Sequence, residues 1–130
     1  MAKNNNVFLI DDDRTTNFVH RTLISKFHPE LAITDFMEAY DFLEFLAENI
    51  NRSENLPNYI LLDINMPQMN GWEFLEEYKK TIFPFMRKCK VVMVTSSDNG
   101  IDLEKSKDYG FVKGYYVKPL SSEMLAEIFE

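Results

Sequence analysis

One cysteine, Cys89, and four glycines stand among 130 residues. A lone cysteine excludes an internal disulfide and fits a reducing compartment. So few glycines leave neither a phosphate-cradling Gly-rich loop nor a GxGxxG dinucleotide fingerprint. Cations are also scarce, 14 Lys and Arg against 21 Asp and Glu, for a net charge of −7. That balance argues against direct contact with nucleic acid or an anionic membrane, because phosphate binding needs clustered Lys and Arg. No apolar run approaches the ~18 residues of a membrane span. The opening Met1-Ala2-Lys3-Asn4-Asn5-Asn6 lacks the apolar segment of a signal peptide. A cytoplasmic location is expected, with residues 1–130 forming one domain long enough to bury a sizeable core.

What the chain does have is a set of short apolar runs that end in polar residues. Tyr59-Ile60-Leu61-Leu62 leads straight into Asp63, followed by a loop closed by Pro67 and Gly71. Val7-Phe8-Leu9-Ile10 ends in Asp11-Asp12-Asp13, and Lys90-Val91-Val92-Met93-Val94 delivers Thr95, Ser96, Ser97 and Asp98. Gly114-Tyr115-Tyr116-Val117 ends in Lys118-Pro119, and Leu31 to Phe36 is a weaker run. Unbroken apolar runs of this length read as strands buried on both faces, as in a parallel sheet covered by helices.

Helical periodicity fills the intervals. Arg14 to Phe27 places Val19, Leu23 and Phe27 four apart with Phe18 beside them, Asp13 is a candidate N-cap, and Pro29 stops the helix. Ala39, Phe42, Leu43, Leu46 and Ile50 form one apolar stripe. Trp72, Leu75 and Tyr78 predict a third helix ending before Pro84. Gly100 to Tyr109 is a polar fourth helix, and a turn at Gly110 or Phe111 precedes the last strand. A short final helix, capped by Ser121 or Ser122, turns Met124, Leu125 and Ile128 inward. Strand and helix thus alternate five times. The expected fold is α/β, a flavodoxin-like (βα)5 doubly wound sandwich with a parallel sheet of order 2-1-3-4-5.

In such a sheet, ligands bind at the carboxyl ends of the strands, and here those ends carry Asp11, Asp12, Asp63, Thr95 and Lys118. Singly, each has a bland reading as a turn, cap or surface residue. Together they do not, since carboxylates at adjacent strand ends repel by roughly 4 kcal/mol per pair at ~4 Å and an effective dielectric near 20. Such a cluster needs a cation. Its hard oxygen ligands suit Mg²⁺, and the absence of His or Cys from these motifs argues against zinc. A divalent ion, a Lys and a hydroxyl around one carboxylate would orient a phosphoryl group, which the carboxylate can itself attack.

These residues resemble the receiver domain of two-component response regulators, in its single-domain, chemotaxis-regulator-like form. The matching segments are Asp11-Asp12, Leu61-Leu62-Asp63-Ile64-Asn65-Met66-Pro67 through Gly71, Met93-Val94-Thr95-Ser96, and Tyr115-Tyr116-Val117-Lys118-Pro119, in family order across nearly the whole chain. The resemblance implies that Asp63 is the phosphoacceptor, charged by a sensor histidine kinase or a histidine phosphotransfer protein. It implies Mg²⁺ held by Asp12 and Asp63, with the backbone carbonyl of Asn65, and by Asp11 through water. Thr95 and Lys118 would bind phosphoryl oxygens, and Tyr115 would swing inward as Thr95 is drawn toward the phosphoryl group. The Lys118–Pro119 bond would be cis. The face from Gly100 to Glu130 (fourth helix, fifth strand, fifth helix) would engage an unknown downstream partner or a second copy, with no contact to nucleic acid or membrane. Asn65 and Ser97 would set the lifetime of the aspartyl phosphate, and the small Ser96 would leave room for Tyr115. His20 and His28, away from the rim, are expected at the surface. Tyr116 is either a second exposed aromatic or buried by strand alternation. The last helix ends at Glu130, short for the family, as in a chain cut there or once followed by an output domain.

Two other readings are weaker. A haloacid-dehalogenase-type phosphatase also pairs an Asp nucleophile with Mg²⁺, but needs a second acid where this chain has Asn65. A passive receiver-like interaction module would be favoured by loss of an acidic residue or Lys118, and none is missing. On the resemblance, the domain is no metabolic enzyme and has only self-phosphorylation and self-dephosphorylation activity.

Overall fold

Period-two alternation within the strands divides the interior into two layers. A computed structural model of the chain describes residues 5–86, 88–96 and 100–129. In order, its elements are β1 (Asn6–Ile10), α1 (Arg14–Phe27), β2 (Ala32–Phe36), α2 (Ala39–Glu48), β3 (Tyr59–Asp63), α3 (Gly71–Thr81), β4 (Lys90–Thr95), α4 (Gly100–Ser106), β5 (Val112–Val117) and α5 (Ser122–Ile128). The strands form one parallel sheet of order β2-β1-β3-β4-β5, a flavodoxin-like arrangement.

Phe8, Ile10, Ile60, Leu62, Val91 and Met93 point to the side covered by α2 and α3. Their strand neighbours Val7, Leu9, Leu61, Val92 and Val94 point to the side covered by α1 and α5. Successive side chains on opposite faces are what a pleated strand dictates, and both faces are buried because both carry helices. The first layer is rich in rings. Phe42 lies 5.4 Å from Phe8, 5.1 Å from Phe36 and 5.4 Å from Phe74 between ring centroids. The second layer is aliphatic, built on Ile24, Leu125 and Ile128.

Helix ends follow local chemistry. Asp13 caps α1, accepting from the Thr15 and Thr16 amides. Asn70 and Glu73 close a reciprocal capping box at the start of α3. Ser121 caps α5.

Three sequence expectations need correction. The inward face of α1 is Asn17, His20 and Ile24, while Phe18, Val19 and Phe27 are exposed. Of the apolar stripe expected there, only Leu23 packs against the aliphatic layer, because polar residues occupy the buried turn nearest the rim. α4 ends at Ser106 rather than Tyr109, as the Ser106 hydroxyl donates to the Leu103 carbonyl and Tyr109 is held by its own 2.6 Å bond to Glu76. β5 begins at Val112, two residues earlier than its apolar run suggested, with an irregularity opposite Val91 and Val92.

Candidate active site

Strand register gathers the polar residues. Ile10 pairs with Leu62, so Asp11 emerges beside Asp63. Asp63 pairs with Val94 and Thr95 with Val117, so Thr95 and Lys118 follow at the same rim. The backbone N–H of Lys118 donates to the Thr95 carbonyl at 2.7 Å, and the Lys118–Pro119 peptide is cis. Asp11 and Asp63 are buried and Asp12 is exposed. One carboxylate oxygen from each of the three lies within 4.8 Å of the others.

Asp11 is fixed from several directions. Its N–H donates to the Phe36 carbonyl (3.1 Å), its carbonyl accepts from Asn17 Nδ2 (2.9 Å), and its Oδ1 accepts from the Asp13 N–H (2.9 Å). Lys118 Nζ sits 2.5 Å from Asp11 Oδ2 and 3.4 Å from Asp63 Oδ1. Burial would lower the Lys118 pKa, but the two carboxylates outweigh it and raise it. Asp63 moves the other way for a carboxylate. Burial first and the Asp11 charge second push it up to about 6, against the pull of Lys118 and an Asn65 backbone hydrogen bond. One ammonium does not offset this much negative charge.

The site opens into a cleft of about 530 Å³ lined by the three aspartates, Thr16, His20, Asn65, Ser96 and Lys118 among others. His20 corrects the sequence reading. It is 5% exposed, not a surface residue, and borders the acidic cluster. Burial lowers its pKa, with Asp11 opposing and Lys118 reinforcing the shift. Its signal was legible after the fact, three residues beyond Asn17 and four before Ile24 on one helical face. His28 is partly covered too, with its ring 5.2 Å from that of Phe129. Thr95 is fully buried at the end of β4. Tyr115 is half-buried against the ring-rich layer, and the Tyr116 hydroxyl donates to Glu127 at 2.9 Å. Ser97 and Asp98 lie outside the described residues.

The loop after Asp63 is drawn back beneath it. The Gly71 N–H donates to the Ile64 carbonyl at 2.7 Å, and Gln68 takes a left-handed φ of 68°. A Cβ on Gly71 would stand 2.7 Å from the Asp63 carbonyl oxygen, so only glycine allows this approach.

The donor set fits a hard divalent cation. Three carboxylates converge with oxygen ligands only, Asp12 faces the open cleft, and burial first, with the Asp11 charge second, raises the Asp63 pKa. Beside that cluster, the Lys118 ammonium bridges Asp11 and Asp63.

The family model described as "Response regulator receiver domain" matches residues 7–130. The chain is 33% identical over 122 residues to the sensor histidine kinase CheAY of Helicobacter pylori, a match covering 94% of this chain and 14% of the kinase. It is 32% identical to the probable methanogenesis regulatory protein FilR2 of Methanothrix harundinacea, covering 95% of this chain and 78% of that protein. A two-component response regulator from Cytophaga hutchinsonii superposes with a TM-score of 0.90 at 31% identity, covering 98% of this chain and 96% of that one. Among the described residues, no helix is long and apolar enough to cross a membrane.

Proposed function

The chain belongs to the response regulator receiver family, and from that premise we propose that it is a phosphorylation-dependent switch with Asp63 as its phosphoacceptor. The observation that carries this reading is Lys118 Nζ poised 2.5 Å from Asp11 and 3.4 Å from Asp63 inside a convergent carboxylate cluster. The reaction breaks a P–N bond of phosphohistidine as a P–O bond forms to an Asp63 oxygen, and the imidazole leaves to regain a proton from solvent. The donor is a sensor histidine kinase or a histidine phosphotransfer protein. Asp12, Asp63 and the Asn65 carbonyl, with Asp11 through water, would hold Mg²⁺, which would supply positive charge to the phosphoryl oxygens.

The chain's own residues do the rest. Lys118 pairs with a second phosphoryl oxygen, and Thr95 hydrogen-bonds a third. Movement of Thr95 toward that oxygen is coupled to Tyr115, whose half-buried ring turns further inward and alters the α4-β5-α5 face. That face then gains or loses a downstream protein, or a second copy, within the cytoplasm. The domain turns over no external metabolite.

Intact-protein mass after incubation with Mg²⁺ and acetyl phosphate tests the assignment. The expected result is a gain of one phosphoryl group, lost with chelator and in Asp63→Asn. Labelling retained in Asp63→Asn would overturn it. Failure to bind beryllofluoride, which needs the assembled site but no phosphotransfer, would favour a passive module.

A further inference from the structure

A second concave surface lies away from the acidic cleft and shares no lining residue with it. It is a groove of about 540 Å³ between α2 and α3. Its apolar lining comes from Leu43, Ala47, Ile50 and Ile82, and two aromatic side chains stand at its margin, Tyr40 at 54% exposure and Phe85 at 70%. Phe85 ends a 3-10 turn, Phe83–Phe85, whose central Pro84 stiffens the backbone that presents the ring. Around this apolar surface stand three carboxylates, Asp41, Glu44 and Glu77, and no described cation lines the groove.

We propose that this groove docks a cationic amphipathic segment of a partner protein, an aliphatic or aromatic anchor flanked by Lys or Arg. Charge complementarity selects that occupant. An anionic lipid surface or nucleic acid would meet three carboxylates. A second copy related by a twofold axis would set the same carboxylates against one another, because a twofold interface apposes like patches. A basic segment instead neutralises them while its anchor covers Leu43, Ile50 and Phe85, in the helix-in-groove manner. This surface shares no lining residue with the cleft at Asp63.

Fluorescence anisotropy with a short fluorescein-labelled amphipathic helix of lysine and leucine tests the proposal. The paired reversals Glu44→Lys and Glu77→Lys, and separately Phe85→Ser, are expected to weaken binding about tenfold or more, whereas Glu30→Lys with Glu123→Lys, of equal charge change on the opposite side of the sheet, changes it less than about twofold. All these groove and control side chains are exposed, and far-UV circular dichroism verifies each fold. Equal loss in both charge-reversed pairs would mean diffuse electrostatics and overturn the proposal. So would undiminished binding in Phe85→Ser, equal binding of a glutamate-for-lysine probe, no probe binding at all, or a dimer that Phe85→Ser dissociates.

Discussion

The ring-rich layer beneath α2 and α3 and the polar rim are made by the same strands, yet they stand in opposite energetic positions. In the layer, Phe42 is fully buried amid Phe8, Phe36 and Phe74 at centroid spacings of 5.1–5.4 Å. Burial there stabilises the fold and ring offsets add to it. At the rim, two aspartates as buried as many core residues share one lysine, and the shifted Asp63 records the cost. Burial in the layer offsets the cost of holding two buried carboxylates at the rim.

The sharpest break in this contrast comes from the layer. Phe42→Ala should destabilise by about 3–5 kcal/mol, through lost transfer free energy plus a cavity. Urea denaturation measures it, and a loss under about 1 kcal/mol would mean that the surrounding rings collapse into the gap. Next comes the point where loop and rim touch. Gly71→Ala forces a Cβ against the Asp63 carbonyl and the Ile64 Cα, and should cost about 1–3 kcal/mol. It should also weaken Mg²⁺ binding, read by titration of the single tryptophan, Trp72. Unaltered stability and affinity together would show that the loop can move aside.

The smallest effect has the opposite sign. A carboxyl whose folded pKa is raised, here from 3.8 to about 6, favours folding in its protonated form. Its stabilising contribution is complete below about pH 4 and is lost as pH rises through about 6. Asp63→Asn should therefore be more stable than the parent at pH 7 by about 1–2 kcal/mol, once water in the open cleft is allowed for. The gap should close by about pH 4. Denaturation in chelator at both pH values checks it, and parallel pH profiles for the two proteins would remove Asp63 as the source.

How far the sequence could be read follows the same division. Buried strands are legible because a run such as Ile60-Leu61-Leu62 is apolar on both faces, so no choice of face arises. Capping was legible at Asp13, where a short acceptor precedes a helix. The bounds of α1, Arg14–Phe27, were legible too, but its buried face was not, because the turn at Asn17 and His20 is polar for the sake of the rim while Phe18 and Val19 are exposed. Hydrophobicity alone selects the wrong side in that situation. The end of α4 was equally hidden, since it depends on Tyr109 reaching Glu76, 33 positions away in sequence. The groove under Phe85 needs the placement of α2 against α3, which no local pattern encodes.

The register that brings Asp11, Asp63, Thr95 and Lys118 to one rim has a consequence for how such a chain can change over generations. Each of these residues is set by counting along a strand, so one inserted residue in β1, β3 or β4 that no bulge absorbs, as β5 absorbs one opposite Val91 and Val92, would turn its side chain to the opposite side. The sheet acts as a ruler whose graduations cannot be moved one at a time. The outer surfaces of the helices are bound by no such count. Lineages can therefore exchange correspondents by rewriting those surfaces while the ruler passes unaltered from one descendant to the next.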